Sequence, residues 1–380
     1  MLIGQGDFHV IPMEIKAPVG NRNTIINVIK RTYSILPDGT IQSLPLGDQP
    51  EFMGVTPYED ELGRSIIYPG DLAHFKPLVD FIVNGTAFAP EQKPVETLDV
   101  SFEISGSKKS LRVYGNRRWT RNLDGQPENT RPEPFTMMPI RWEKSYGGLR
   151  NAWNRNGLGE DQDHETDPEE PIFSLPNIEN PNELIRDFDQ AVRPVGFSAI
   201  PETWEPRFTW FGTRSAYWAN FRAPLPPKDR DERYENAAPE DQQYKDLLGN
   251  ETVTFENMNE NFPTFNITLP NYKPRLFYVP SKQDHQDKPI LDLIEIDVRL
   301  DTIVVDLNEG LLTLLWRGPL DATDTSVIEK FRYLYCAEDE PIHKLPIEEI
   351  QTNFNKEIEI IEPAIQKTEV TADEILTGVL

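Results

Sequence analysis

The sequence predicts a mainly β protein, sandwich-like or built of mixed antiparallel sheets with long proline-rich loops, plus a short α-helical C-terminal segment. Three observations predict it. Apolar and polar residues alternate over runs of strand length, most cleanly at Leu98, Val100, Phe102 and Ile104 against Thr97, Asp99, Ser101 and Glu103. That is the pattern of a strand with one buried face. Proline is dense, 34 of 380 residues, about 9% where about 5% is usual. Aromatic residues nevertheless reach 10%, so the prolines punctuate a folded chain and do not mark a disordered one. After Asp321 the apolar spacing changes to three and four, at Val327, Ile328, Phe331, Leu334 and Tyr335, which reads as a helix face behind a Thr325 or Ser326 cap.

The elements follow in order. Residues Ile25 to Ile35 are rich in β-branched side chains and stop at the turn Pro37-Asp38-Gly39. Val79 to Ala89 is an apolar strand entered after Pro77. Val95 to Ile104 turns at Gly106-Ser107-Lys108-Lys109, and Leu111 and Val113 begin the return. Between Trp119 and Pro194 no period survives, and an acidic run from Glu160 to Glu170 reads as a solvated loop. Strands resume at Thr252–Phe255, Phe265–Leu269, Leu276–Val279, Ile290–Leu307 and, past Asn308-Glu309-Gly310, Leu311–Trp316. Pro346 to Ile361 reads as a second helix. The expected organisation is a β-rich body over 1–320, irregular in the middle at about 120–250, and a helical segment with a tail over 321–380.

Charge and composition exclude several classes. With 38 basic and 63 acidic residues the net charge is −25. A chain so acidic is repelled by nucleic acid and by anionic membranes, and attracts basic partners. The single cysteine, Cys336, allows no disulfide within the chain and no cysteine-rich zinc site, and fits a reducing compartment. The start carries no secretory-signal pattern, and no apolar run is long enough for a membrane helix.

No nucleophile elbow, phosphate-binding glycine loop, dinucleotide fingerprint or zinc-protease motif is present. Ser105-Gly106-Ser107-Lys108 fits Ser-x-x-Lys but falls in the expected hairpin turn. The histidines at 9, 74, 164, 285 and 343 lack metal-ligand spacing, so no metal or cofactor is expected. Asp229 and Asp231 read first as a surface charge run, and otherwise as ligands for a divalent cation or carboxylates of a glycan-active site. Lys76 among Asp71 and Asp80 is a structural ion-pair network or a catalytic lysine. From Trp204 to Arg222, aromatics and arginines interleave, with Trp210, Tyr217 and Trp218 as candidate interface anchors. Such residues combine large apolar area with polar tips.

Six phrases in series resemble a known family. They are Tyr68-Pro69-Gly70-Asp71-Leu72-Ala73-His74-Phe75-Lys76-Pro77-Leu78-Val79-Asp80 with Gly85, Val113-Tyr114-Gly115-Asn116-Arg117-Arg118-Trp119, and Pro134-Phe135 with Pro139 through Glu143 to Tyr146-Gly147-Gly148. Leu175-Pro176-Asn177-Ile178-Glu179 follows, then Arg193-Pro194-Val195-Gly196-Phe197 with Trp204-Glu205-Pro206-Arg207, and Ala238-Pro239-Glu240-Asp241-Gln242-Gln243. The series resembles the bacterial type VI secretion adaptors, encoded beside spike and effector genes. It runs from about residue 20 to about residue 320. Tyr146 and Asn116 stand where that family commonly has Phe and Asp.

The resemblance implies a non-enzymatic cytoplasmic adaptor or chaperone. It would hold an effector and help load it on the valine-glycine-repeat (VgrG) spike or its PAAR tip, with no cofactor. The phrase residues are candidates for fold or partner binding: Asp71, Lys76, Pro77, Asp80, Gly85, Arg117, Trp119, Glu143, Gly147, Gly148, Glu179, Trp204, Arg207, Asp241, Gln242 and Gln243. Two other readings stand beside it. One is a glycan-active or other hydrolase using Asp229, Asp231 or Glu143 with a Trp204 or Trp218 platform. The other is an acidic inhibitor of a basic toxin.

Overall fold

A computed structural model describes residues 2–4, 7–16, 23–58, 65–146, 173–188, 190, 192–221, 223, 226–280, 294–321 and 331–337. The chain is mainly β, as the alternation predicts, and none of the described sheets closes into a barrel. The largest sheet runs in the order Gln243–Tyr244, Val79–Asn84, Arg299–Asp306, Leu311–Asp321, Asn23–Ile35, His9–Lys16, with Ile41–Ser43 also paired to Asn23–Ile35. Its pairs are antiparallel except Val79–Asn84 against Arg299–Asp306, which is parallel with Asp80 opposite Thr302. A second, fully antiparallel sheet runs Ile178–Glu179, Ser107–Tyr114, Thr97–Ile104, Thr252–Glu256, Thr264–Thr268.

The two sheets share one core. Ile29, Phe81, Ile303, Leu314 and Trp316 from the larger meet Val100, Phe102, Leu111, Val253 and Phe255 from the smaller. Phe81 and Phe102 lie 5.1 Å apart by ring centroids, and Phe102 and Phe197 5.0 Å, within the range of favourable aromatic pairs. The alternation read from the sequence is the cause: Leu98, Val100, Phe102 and Ile104 are all buried, while Thr97, Asp99 and Glu103 are exposed.

The hairpin after Ile104 turns on Ser105 (φ +50°) and Gly106 (φ +75°). Two left-handed residues match the natural twist of the strands. Ser107, Lys108 and Lys109, read as turn from the sequence, therefore already belong to the return strand. The hairpin of Arg299–Asp306 and Leu311–Asp321 closes with Asp306 opposite Leu311, and its register shifts well away from that turn, between Leu300 and Thr302.

The expected C-terminal helix is corrected in part. Phe331–Ala337 is a strand, parallel to Leu2–Gly4 and antiparallel to Arg275–Pro280. Its run Phe-Arg-Tyr-Leu-Tyr-Cys-Ala carries Phe331, Leu334 and Tyr335 at helical spacing, but aromatics are also strong strand formers. Two neighbouring strands supplied the pairing that decided it. Val327, Ile328 and Pro346 to Ile361 lie outside the described residues, as does the acidic run from Glu160 to Glu170. Among the described residues the α-helix is Ala216–Phe221.

The larger sheet is covered on both faces. On its outer face Ile82 and Val304 pack with Ile66, Tyr68, Ala199, Ala237 and Ala238. In register across four strands of that face stand Asp80, Thr302, Leu315 and Lys30. The three polar ones, Asp80, Thr302 and Lys30, hold the covering segments.

Candidate docking face

The segment from Tyr68 to Asp80 is strapped to the outer face by charge. The Asp71 carboxylate accepts hydrogen bonds from the Tyr68 hydroxyl (2.8 Å) and the Met53 amide (2.7 Å), and pairs with Lys30 Nζ at 3.0 Å. Lys76 Nζ donates to Asp80 Oδ2 at 2.8 Å and to Thr302 Oγ1 at 2.7 Å. Asp80 also receives Asn236 Nδ2 and the Ala237 amide, each at 2.8 Å, and the Ala238 amide at 3.2 Å. Arg317 pairs with Asp301 and donates to the backbone carbonyls of Asp71 and Ala73.

Lys30, Lys76 and Arg317 thus balance Asp71, Asp80 and Asp301, all of them buried. Burial pulls the Lys30 pKa down, against the pull of Asp71 in the other direction. Burial pushes the Tyr68 phenol well up, and the neighbouring Asp71 adds to it. Such a set costs desolvation energy and is intolerant of losing one member. While Asp71 and Lys76 point inward, Leu72 and Phe75 are held outward, 50% and 40% exposed.

A second base lies beside the strap. Arg207, buried, donates Nε to the Tyr234 carbonyl and Nη1 to the Ile200 carbonyl, both at 2.9 Å. Glu235 pairs with His74 at 3.1 Å and with Arg230. Burial alone would raise the Glu235 carboxyl. The hydrogen bond from His74 and the Arg230 guanidinium outweigh it and hold the pKa at about 2.

On this base stands a ledge of aromatics. Phe208 stacks on Phe211 at 6.1 Å, Phe211 meets Trp218 edge-on at 5.9 Å, and Tyr217 lies 5.1 Å from Phe221. Arg233 covers the Trp210 ring at 3.4 Å and Arg214 covers Phe208 at 4.3 Å. Tyr217 and Phe221 are 64% and 74% exposed. Between ledge and strap is a cavity of about 340 Å³ lined by Val55, Leu72, His74, Phe211, Arg230 and Glu235, among others. The Trp204–Arg222 cluster therefore divides. Trp204 is buried against Tyr146 at 5.6 Å, Tyr217 is at the surface, Trp210 and Trp218 are half-buried, and Arg222 lies outside the described residues.

The remaining candidates are scattered. Arg117 pairs with Glu179 and lies 3.6 Å over the Tyr114 ring; burial raises the Glu179 carboxyl and Arg117 opposes that. Trp119 packs edge-on against Phe188 at 5.4 Å. Glu143 accepts from the Ser65 amide and hydroxyl, each at 2.6 Å. Gln242 is fully buried and donates to the carbonyls of Phe81 (2.7 Å) and Phe197 (2.8 Å), and Gln243 donates to the Ala238 carbonyl. Pro77 leads the strap into its strand half-buried, Gly85 follows that strand, and Gly147 and Gly148 lie outside the described residues.

Asp241 is exposed and holds Lys109 Nζ at 2.7 Å. Burial lowers the Lys109 pKa to about 8 against the attraction of Asp241. Asp229 accepts from the Thr213 amide and Asp231 from Arg233, so both carboxylates have structural partners, as Glu143 has. Among the described residues no group of three or more His, Cys, Asp or Glu is placed to hold a metal ion. No described helix is long and apolar enough to cross a membrane.

Sequence reading found Asp71, Lys76 and Asp80 but not Lys30, Asp301 or Arg317, which complete their network. The available signal for Arg317 was an arginine at the end of the apolar run Leu311–Trp316; Lys30 lies in a mixed polar and apolar strand and carried no such signal.

Fold and site define a mainly β protein of several sheets with an ion-paired strap and an exposed aromatic ledge. Residues 20–317 match the family described as "Uncharacterized protein conserved in bacteria (DUF2169)", and the chain belongs to it. No curated protein and no solved structure matches the chain.

Proposed function

We propose that the chain is a non-enzymatic adaptor that binds a type VI secretion effector and helps load it onto the VgrG spike or its PAAR tip. The type VI assignment comes from the resemblance carried by the six phrases. The adaptor reading is supported chiefly by one observation: Tyr217 and Phe221 project from a base whose own polar groups are engaged in structure. Exposed aromatics on a rigid support are the usual anchors of protein interfaces. The −25 charge adds attraction for an effector with a basic surface and speeds its capture at low salt.

The test is binding by the purified chain to its effector. Replacing both anchors, Tyr217→Ala with Phe221→Ala, should weaken the complex at least about tenfold. Their exposure predicts little change in thermal stability. Unchanged affinity in the double variant contradicts the ledge as the docking face.

A further inference from the structure

A second cleft is lined by other residues of the Ile200–Arg207 segment, Ile200, Glu205 and Pro206. It encloses about 350 Å³ and draws residues from three of the six sequence phrases. Its walls are Pro194, Val195, Ile200, Pro206 and Pro239, with the edge of Trp142 at the back. Gly196 lets the chain pass over that indole: a Cβ there would lie 3.0 Å from Trp142 Cε2. Around the apolar walls stand four carboxylates, Glu183, Glu205, Glu240 and Asp241.

Two cations, Lys109 and Arg193, line it as well, so four against two leaves an acidic excess. Lys109 Nζ is turned to Asp241 and to Gln242 Oε1, each at 2.7 Å. Glu183 and Glu240 are exposed, with their carboxylates open to an incoming group. Three of the five walls are proline and offer no amide donor, and carboxylates outnumber cations, so the cleft favours a donor-rich guest over an anion.

We infer that this cleft receives an arginine or lysine side chain presented by an extended segment of a protein partner. The apolar walls take the aliphatic stem, and Glu183 and Glu240 take the charged head. The volume suits a side chain and a few backbone atoms, not a folded domain. The inference deepens the adaptor reading and rests on it only for the partner's identity. It assigns the bulk contact to the ledge and a specific basic contact to the cleft.

The probe is a fluorescein-labelled peptide in which three arginines alternate with proline, beside a twin with citrulline in place of arginine. Binding to the full chain is read by anisotropy at about 150 mM salt, where diffuse attraction is largely screened. The expected result is an affinity at least about tenfold higher for the arginine peptide. Glu183→Gln with Glu240→Gln should remove that preference. Glu103→Gln with Glu128→Gln, equally exposed but outside the cleft, should change it less than about twofold.

Equal binding of the two peptides, or equal loss in both double variants, overturns the cleft as a receptor and leaves diffuse electrostatics. A parallel measurement with the effector separates the two readings. A complex that forms while the peptides show no preference removes the cleft and keeps the adaptor. A chain that binds the arginine peptide through the cleft but no effector keeps the cleft and removes the adaptor.

Discussion

Lys30 occupies an interior position of the long strand Asn23–Ile35 and is fully buried. Its ammonium is tolerated because Asp71 and the Glu51 carbonyl, at 2.7 Å, receive it. Lys30→Met should destabilise the chain by about 3–5 kcal/mol, because Asp71 is then left buried and short of a cation. Its two remaining donors, the Met53 amide and Tyr68 hydroxyl, soften the loss without replacing the charge. Equilibrium urea denaturation measures it, and a cost under about 1 kcal/mol would mark the pair as a surface-like bridge. The partner of Lys30 was not legible in the sequence, since 41 residues separate it from Asp71 and no local pattern links them. Asp71, Lys76 and Asp80 stood out because three charges surround an apolar strand entry. Their structural role follows only from the opposing sheet residues.

Glu235 gives the pH dependence a sign. Its carboxyl lies near 4.5 when unfolded and at about 2 when folded. The folded state therefore holds fewer protons in that window, and the stabilisation, complete above pH about 4.5, is lost as the pH falls toward 2. Glu235→Gln should be less stable than the parent at neutral pH, and the gap should close with acidification through that window. Urea midpoints across the acid range check it, and a gap that stays constant contradicts the pairing with His74 and Arg230.

At the scale of elements, strands with clean alternation were the legible part. Thr97–Ile104 follows its apolar period almost residue for residue. Phe331–Ala337 did not, because its spacing fits both a helix face and a strand, and long-range pairing decided. The short strands of the middle region, such as Met137–Pro139 on Thr86–Phe88, carry too few residues for a period to show. Close approaches there are testable. A Cβ on Gly115 would lie 1.7 Å from the Glu133 carbonyl oxygen, whereas on Gly85 it would meet the flexible end of Met258 at 2.7 Å. Gly115→Ala should therefore cost more stability than Gly85→Ala, since backbone yields less readily than a methionine tip. Denaturation of the two variants side by side decides it, and a larger cost at Gly85 contradicts the packing described.

At the scale of the whole molecule, the mainly β class and the surplus of acid could be read in advance, but the exposed aromatic ledge could not. The aromatic cluster was visible as composition. Its division into a buried Trp204, half-buried Trp210 and Trp218, and exposed Tyr217 and Phe221 depends on how the Arg207 and Glu235 contacts seat the segment. A chain with −25 charge and this ledge should hold a basic partner through an apolar anchor and long-range attraction together. Only the attraction is weakened by salt.

The most direct measurement is a tagged pull-down from the native cell at low and at moderate salt, with mass spectrometry of the eluate and the Tyr217→Ala, Phe221→Ala variant alongside. The adaptor account predicts a near-stoichiometric effector or spike protein, reduced by salt and largely lost in the variant. A chain that elutes alone at both salt concentrations, or a partner retained in full by the variant, would contradict it.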